Sequence, residues 1–301
     1  METLKINTVH SAPITLSTVD TNKECERLIV AALMDRPERR ELPDGAREVA
    51  QAIDHTYLSI TNPINDTKEV IRVCREAQEY GFASVCIRPE HIRVAQNLFS
   101  AWTAEDLRIC TVIGFPQESG YDPTTWHNKS ATSRMMKGET LQAIQNGADE
   151  FDMVINTQMV LEGDIEGAVE GIQSVVEAVR KANEKDLGHR TIKVIVESPY
   201  LRERGGTEAL HRACQAVIAG KADYIKTSTG FKPAGIPTGA TAEDVTLMVN
   251  ECKNVHGILV KASGGIGTVQ AANTMLALGA DRLGMSKGVK VIEDLSKNPS
   301  V

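Results

Sequence analysis

Eight short apolar runs alternate with eight helical patterns along nearly all of this 301-residue chain, and that alternation restricts the fold more than any other feature. The runs lie near residues 52–57, 83–87, 108–113, 149–155, 191–196, 223–227, 258–261 and 281–284. The segments that follow them, near 66–80, 90–100, 137–146, 163–185, 207–219, 242–253, 268–279 and 288–296, repeat apolar residues at helical spacing. Strands that alternate with helices build parallel sheets, because each crossover returns the chain to the same end of the sheet. Eight such units are the number that closes a (β/α)8 TIM barrel. A doubly wound sheet competes, but its G-x-G-x-x-G fingerprint is absent after the first strand. The expectation is an α/β chain with one barrel domain over residues 22–301, the barrel itself at about 50–296. Leu28, Ile29, Ala32 and Leu33 predict an extra N-terminal helix at 22–40, ended or kinked by Pro37. Residues 1–21 read as a flexible polar extension.

Three of the apolar runs carry a lysine: Lys193 in Thr191–Glu197, Lys226 in Ala222–Phe231 and Lys261 in Gly257–Gly265. Lysine is seldom fully buried without a partner. One such residue at a strand end would simply snorkel to water; three in succession call for another explanation. Two lysines brought together on neighbouring strands repel, and repulsion with burial lowers one pKa. The neutral amine is a nucleophile suited to forming a Schiff base with a carbonyl substrate.

Taking the inward side from Lys226, strand alternation turns Asp152, Val154 and Asn156 the same way and Phe151, Met153 and Ile155 toward the helices. A carboxylate facing inward needs a cation, so Asp152 either neutralises a lysine or also relays protons. Asp54 reads as holder of a water or a substrate hydroxyl, or equally as a strand-end cap. Cys86 has no histidine partner and reads as a small core residue before a nucleophile. Two glycine-rich turns, Ser263–Thr268 and Arg282–Gly288, follow the seventh and eighth runs. In a barrel these loops commonly cradle phosphate, because glycines let backbone N–H groups come close and a helix N-terminus follows.

A net charge of −7 with no lysine or arginine block argues against a nucleic-acid or membrane-surface role. The six cysteines are scattered without a C-x-x-C pair, which fits free thiols and a cytoplasmic location. No secretory or transit pattern opens the sequence, and no apolar run has the length of a membrane span. The seven histidines form no ligand-spaced cluster, so no metal and no cofactor is expected. The connection over 117–133 is long for a compact domain and reads as a lid or binding loop. Its His127 is more simply a solvated side chain than a general acid.

Assembled in order, the motifs Ile53–Thr56, Val85–Pro89, Thr111–Pro116, Asp149–Asn156, Lys193–Glu197, Ile225–Gly230, Val260–Gly265 and Arg282–Gly284 make the sequence resemble the deoxyribose-phosphate aldolases, a class I aldolase family, from about Ala52 to Ile292. The resemblance implies reversible, metal-free cleavage of 2-deoxy-D-ribose 5-phosphate to acetaldehyde and D-glyceraldehyde 3-phosphate, in deoxyribonucleoside catabolism. It places the Schiff base on Lys226, makes Lys261 the lysine that depresses its pKa, and makes Asp152 the carboxylate of the proton relay. Asp54, Cys86 and Lys193 match supporting or substrate-contacting positions, and Thr227 is counted with the substrate contacts. Gly230, Gly264, Gly265, Gly284 and Ser286 match phosphate-binding positions. Lys287 stands where the family usually has a second hydroxyl; it either adds charge to the anion site, crowds it or turns outward. The 117–133 loop and the proline-rich 231–238 segment depart from the family pattern, and the C-terminus lacks the tyrosine some members supply. Barrels of this kind often form dimers, so a homodimer is the expected assembly. Two other readings stay open: an aldolase-like scaffold that binds a protein partner through the 117–133 loop, and a class I aldolase for a related aldehyde.

Overall fold

The computed structural model describes residues 18–117, 121–122 and 129–297. Eight parallel strands close a barrel in sequence order: β1 (Ile53–Tyr57), β2 (Ser84–Ile87), β3 (Arg108–Ile113), β4 (Glu150–Val154), β5 (Thr191–Ile195), β6 (Tyr224–Lys226), β7 (Leu259–Ser263) and β8 (Arg282–Met285). The ring is completed by β1 against β8, with Asp54 opposite Gly284. Five barrel helices follow the strands: α3 (Pro63–Tyr80), α4 (Ile92–Trp102), α5 (Lys129–Asn146), α9 (Ala242–Cys252) and α10 (Val269–Ala277). Two more, α7 (Ile165–Asp186) and α8 (Ser198–Ala219), are the longest, and α11 (Gly288–Lys297) ends the described chain. Short polar side chains fix where several of them begin. Asn62, Asp164, Thr241 and Thr268 each accept a hydrogen bond from the backbone N–H three residues on. The outward strand residues Phe151, Met153, Ile192, Val194 and Ile225 pack under the helices and form the main core.

The barrel and its strand order agree with the sequence expectation, and the differences have local causes. The N-terminal helix α1 spans Thr18–Leu33, so the chain leaves helix well before Pro37. A short helix α2 (Asp44–Ala50) precedes the barrel, burying Ala46, Val49 and Ala50. Another, α6 (Thr157–Glu162), is capped by Asn156 and closed by the left-handed Gly163. Helix α8 starts nine residues earlier than the pattern from 207 suggested, with Pro199 in its first turn. Gly206, at φ 68° and ψ −169°, breaks it, and that break is what the sequence presents as a loop. Helix α5 begins at Lys129, inside the stretch expected to be loop. His127 lies outside the described residues, as do residues 1–17 of the expected extension. No described helix is long and apolar enough to cross a membrane.

Helix α1 is fastened to the barrel by Trp102 of α4, which is fully buried and donates from Nε1 to the carbonyl of Ala32 at 3.0 Å. Trp102→Phe keeps most of the apolar volume and removes that bond, leaving the carbonyl only the longer one from the Asp35 N–H at 3.3 Å. It is expected to lower unfolding free energy by about 1 kcal/mol, read from the urea midpoint at constant slope.

Candidate active site

The inward faces of β4 to β8 carry charge where barrels usually carry branched apolar residues. Asp152 of β4 is fully buried, and its carboxylate takes three ammonium groups. Oδ2 lies 2.7 Å from Nζ of Lys226 and 2.7 Å from Nζ of Lys261, while Oδ1 lies 3.0 Å from Nζ of Lys193. Cys110 of β3 donates its thiol to Oδ1 at 3.2 Å. Strand register explains the meeting: Asp152 stands opposite Lys193, and Lys226 opposite Lys261.

A second carboxylate lies beside the first. Asp54 of β1 accepts from Lys261 at 2.5 Å, from Arg282 of β8 at 2.6 Å and from Ser84 of β2 at 2.7 Å. Glu150, two residues before Asp152 on the same inward face, is 2.5 Å from Lys193. Burial opposes ionisation of Asp152, but Lys193, Lys226 and Lys261 outweigh it and hold the carboxyl well below the usual range. Burial likewise opposes the charge on Asp54, and Lys261, Arg282 and Lys193 overcome it, so its pKa falls too. On Lys261, burial is outweighed by Asp152 and Asp54; on Lys193, by Asp152, Cys110, Glu150 and Asp54. Both pKa values rise, and both lysines are held as ammonium.

Only one of the three lysines reaches open space. Lys193 and Lys261 are 0% exposed; Lys226 is 3% exposed and lines a cavity of about 270 Å³ at the C-terminal ends of the strands. The walls include Thr229 and Gly230 after β6, Ser263 to Gly267 at and after β7, and Gly284 to Lys287 at and after β8. Gly230, Gly264 and Gly265 adopt φ of 85°, 87° and 75°, the left-handed region that glycine enters without cost. A Cβ on Gly264 would come within 2.9 Å of Gly239 Cα, so the turn also needs glycine for space. Gly284 has a different duty: a Cβ there would sit 3.1 Å from Cε of Lys261 and 2.8 Å from Cβ of Ser263. Its missing side chain leaves room for the buried lysine. Helices α10 and α11 begin just past these turns, and the positive end of a helix dipole favours an anion there. Lys287 lies along the first turn, its Nζ 3.7 Å from where a Cβ on Gly267 would stand.

Several expected contacts sit elsewhere. Asp54, Cys86 and Lys193 are beneath the cavity floor with no exposed surface, so they support the site from below. Thr227 is also fully buried and faces β7; its hydroxyl donates to the carbonyl of Ser263 at 3.0 Å and accepts the Ser263 N–H at 2.9 Å. It therefore stitches two loops together and is not on the cavity wall. Glu150, Arg282 and Cys110 join the charged cluster without having been singled out. Glu150 was open to the same inward-face argument as Asp152, whereas Arg282 and Cys110 look ordinary in sequence. Cys86, Cys110 and Asp152 bring ligand atoms within 4.8 Å of one another. The cations they hold are the chain's own, with Lys193 Nζ 3.4 Å from the Cys110 sulfur.

Comparison with known proteins gives the same picture. A family model described as DeoC/LacD family aldolase matches residues 48–293. The deoxyribose-phosphate aldolase of a Thermoanaerobacter species is 39% identical over 249 residues, covering 83% of this chain and 97% of that one. That of Aciduliprofundum boonei is 38% identical over 250 residues, covering 83% and 98%. Among solved structures, the deoxyribose phosphate aldolase of Aeropyrum pernix, described as a unique tetramer, superposes with a TM-score of 0.67 at 26% identity, over 91% of this chain and 98% of that one. A barrel with one lysine brought to its cavity from a buried carboxylate, and a family match that runs from before β1 into α11, have one explanation: this chain belongs to the DeoC/LacD family of aldolases and is a lyase.

Proposed function

We propose that this chain cleaves 2-deoxy-D-ribose 5-phosphate to acetaldehyde and D-glyceraldehyde 3-phosphate through a Schiff base on Lys226, and runs the reverse addition. The observation that carries the reading is that Lys226 alone of the three buried lysines lines the cavity. Nζ of Lys226 adds to C1 of the open-chain sugar, and loss of water leaves an iminium. Removal of the proton from the C3 hydroxyl breaks the C2–C3 bond. Its electron pair flows into the iminium, giving an enamine and free glyceraldehyde 3-phosphate. Protonation of C2 and hydrolysis then release acetaldehyde and the amine.

The charged cluster supports this chemistry. Lys193, Lys226, Lys261 and Arg282 face Asp54, Asp152 and Glu150, four cations against three carboxylates. Lys193 and Lys261 are held charged by their partners, and Lys226 is the one whose amine meets the cavity. Asp152, shared by three cations, orients Lys226 and, with Lys261 and a water, moves protons onto and off the intermediate oxygens. Asp54 and Lys193 hold this arrangement, and Cys86 packs against it. The phosphate is assigned to Gly230, Gly264, Gly265, Ser286 and Lys287, where glycine N–H groups, a hydroxyl and an ammonium line one side of the cavity. Gly284 serves as the spacer for Lys261.

Borohydride reduction in the presence of deoxyribose 5-phosphate should leave one adduct, on Lys226, located by peptide mass spectrometry. Lys226→Leu should lose the adduct and drop kcat by about 10⁴-fold or more. An adduct on another lysine, or none on folded wild type, would sink the Schiff-base assignment. For the anion site, kcat/KM should strongly favour the phosphorylated sugar over free deoxyribose. In Lys287→Ser that preference should shrink about tenfold, ~1.5 kcal/mol for a contact to a charged group. Equal rates on the two sugars in wild type would remove the phosphate from this pocket.

A further inference from the structure

Glu197 follows β5 and is a buried acid that the reaction above does not use. It is 0% exposed, and its backbone is left-handed at φ 53°, uncommon for a residue with a side chain. It stands at the start of α8 yet makes no side-chain bond to that helix. Instead its carboxyl crosses to the next strand and accepts the backbone N–H of Thr229. The backbone on either side of it is paired to the same stretch: Val196 N–H donates to the Lys226 carbonyl at 2.9 Å, and Ser198 N–H to that of Thr227 at 2.8 Å. A left-handed residue whose carboxyl, among the described residues, bonds to the loop after Lys226 points to that loop as what it holds.

That loop, Thr227–Gly230, has two sides. Toward β7 it is stitched by Thr227 and Ser228, whose hydroxyls both donate to the Ser263 carbonyl, and by Ser263, whose hydroxyl donates to the Ser228 carbonyl at 2.6 Å. Toward β5 the one side-chain tie among the described residues is Glu197. Thr229 and Gly230 line the cavity, so a shift of this loop moves one wall of the anion pocket. We propose that Glu197 is a positioning residue, a proton-linked latch that fixes the Thr227–Gly230 loop from the neighbouring strand; the consequence for substrate rests on the aldolase reading above.

The proton linkage has a definite direction. Burial pushes the Glu197 carboxyl up to about 7, with the Thr229 contacts and the charge of Lys226 opposing. The second oxygen of the carboxyl, Oε2, is buried with no hydrogen-bond partner among the described residues. Among the described residues, Glu197 also acts on Tyr121, from the loop after β3, which has Tyr200 of α8 as a further neighbour. Burial first, and then the charge of Glu197, raises the Tyr121 phenol, which leaves it neutral. The latched form thus takes up a proton that a solvated glutamate would release. Stability from the latch is complete below the ordinary carboxyl range, near 4.5, and is lost as pH rises through about 7.

Hydrogen exchange of the peptide spanning 227–231, corrected for the intrinsic effect of pH, tests this without substrate. In wild type, exchange should rise about tenfold from pH 6 to pH 8. Glu197→Gln, neutral at every pH, should show no such rise, and Glu197→Ala should exchange fast throughout. With deoxyribose 5-phosphate, KM should climb across the same range in wild type more than in Glu197→Gln, with kcat changing less than KM. Exchange independent of pH in wild type, or the same rise in Glu197→Gln, overturns the latch. Exchange as expected in a protein that does not cleave the sugar upholds the latch and removes the aldolase reading instead.

Discussion

The carboxylate of Asp152, closed inside the barrel and shared by three ammonium groups, sets the terms for the rest of the molecule. An ionised group in a dry interior is stable only when its partners are held at short range. Those partners come from β5, β6 and β7, so the strands must keep the register that sets Asp152 opposite Lys193 and Lys226 opposite Lys261. Asp54 extends the same requirement across the seam, because it takes Lys261 from β7 and Arg282 from β8 while sitting on β1. A one-residue slip would turn every one of these charges toward the helices. The cluster thus makes the barrel specific as well as reactive, and the apolar outer faces supply the main burial that offsets its cost.

The cluster is asymmetric in depth, and its chemistry follows from that. Lys193 and Lys261 are enclosed and stay charged, whereas Lys226 ends at open space. That leaves one amine placed to meet a ligand. The missing side chain of Gly284 contributes to this division, since it makes the room in which Lys261 lies buried. Ser263, which bonds the loop after β6, belongs to the same strand as Lys261, so the strand of one buried lysine and the loop after Lys226 are held by one set of hydrogen bonds.

Much of this was legible in the sequence, for identifiable reasons. The barrel follows from eight short apolar runs that alternate with helical patterns, and Asp152 follows from strand parity once Lys226 is taken as inward. What parity does not carry is height. Strands tilt in a barrel, so residues paired across the ladder sit at different depths. Which of three strand lysines meets the cavity is therefore absent from any local pattern. Thr227 shows a related limit: its hydroxyl is taken by the backbone of Ser263, 36 residues away, and nothing beside it in the chain announces this. The first half of α8 was hidden for a local reason, because Gly205-Gly206 reads as a break, although Pro199 marks a helix start.

The surroundings of the cavity are also unequal, with Leu58 the residue of the apolar cluster that reaches its wall. Toward β1–β3 the barrel interior turns apolar, with Leu58, Cys86, Cys110 and Val112 in one small cluster and Phe115 and Phe231 packed on it. Arg88 stands over both of those rings and ties the segments after β1 and β3 by donating to the carbonyls of Leu58 at 2.6 Å and Pro116 at 3.0 Å. Toward β7 and β8 lie glycine turns, helix N-termini and Lys287. On the proposed reading this polarity orients the substrate. Its phosphate belongs on the glycine side, its aldehyde carbon at Lys226, and the two-carbon fragment left on the lysine stays near the apolar side. Such an arrangement separates the fragments as the bond breaks: the anionic product is held by contacts to a charge that does not react, while the enamine remains tied to the one lysine that the buried carboxylate presents. On that reading, binding and bond cleavage rest on different residues of one hydrogen-bonded frame.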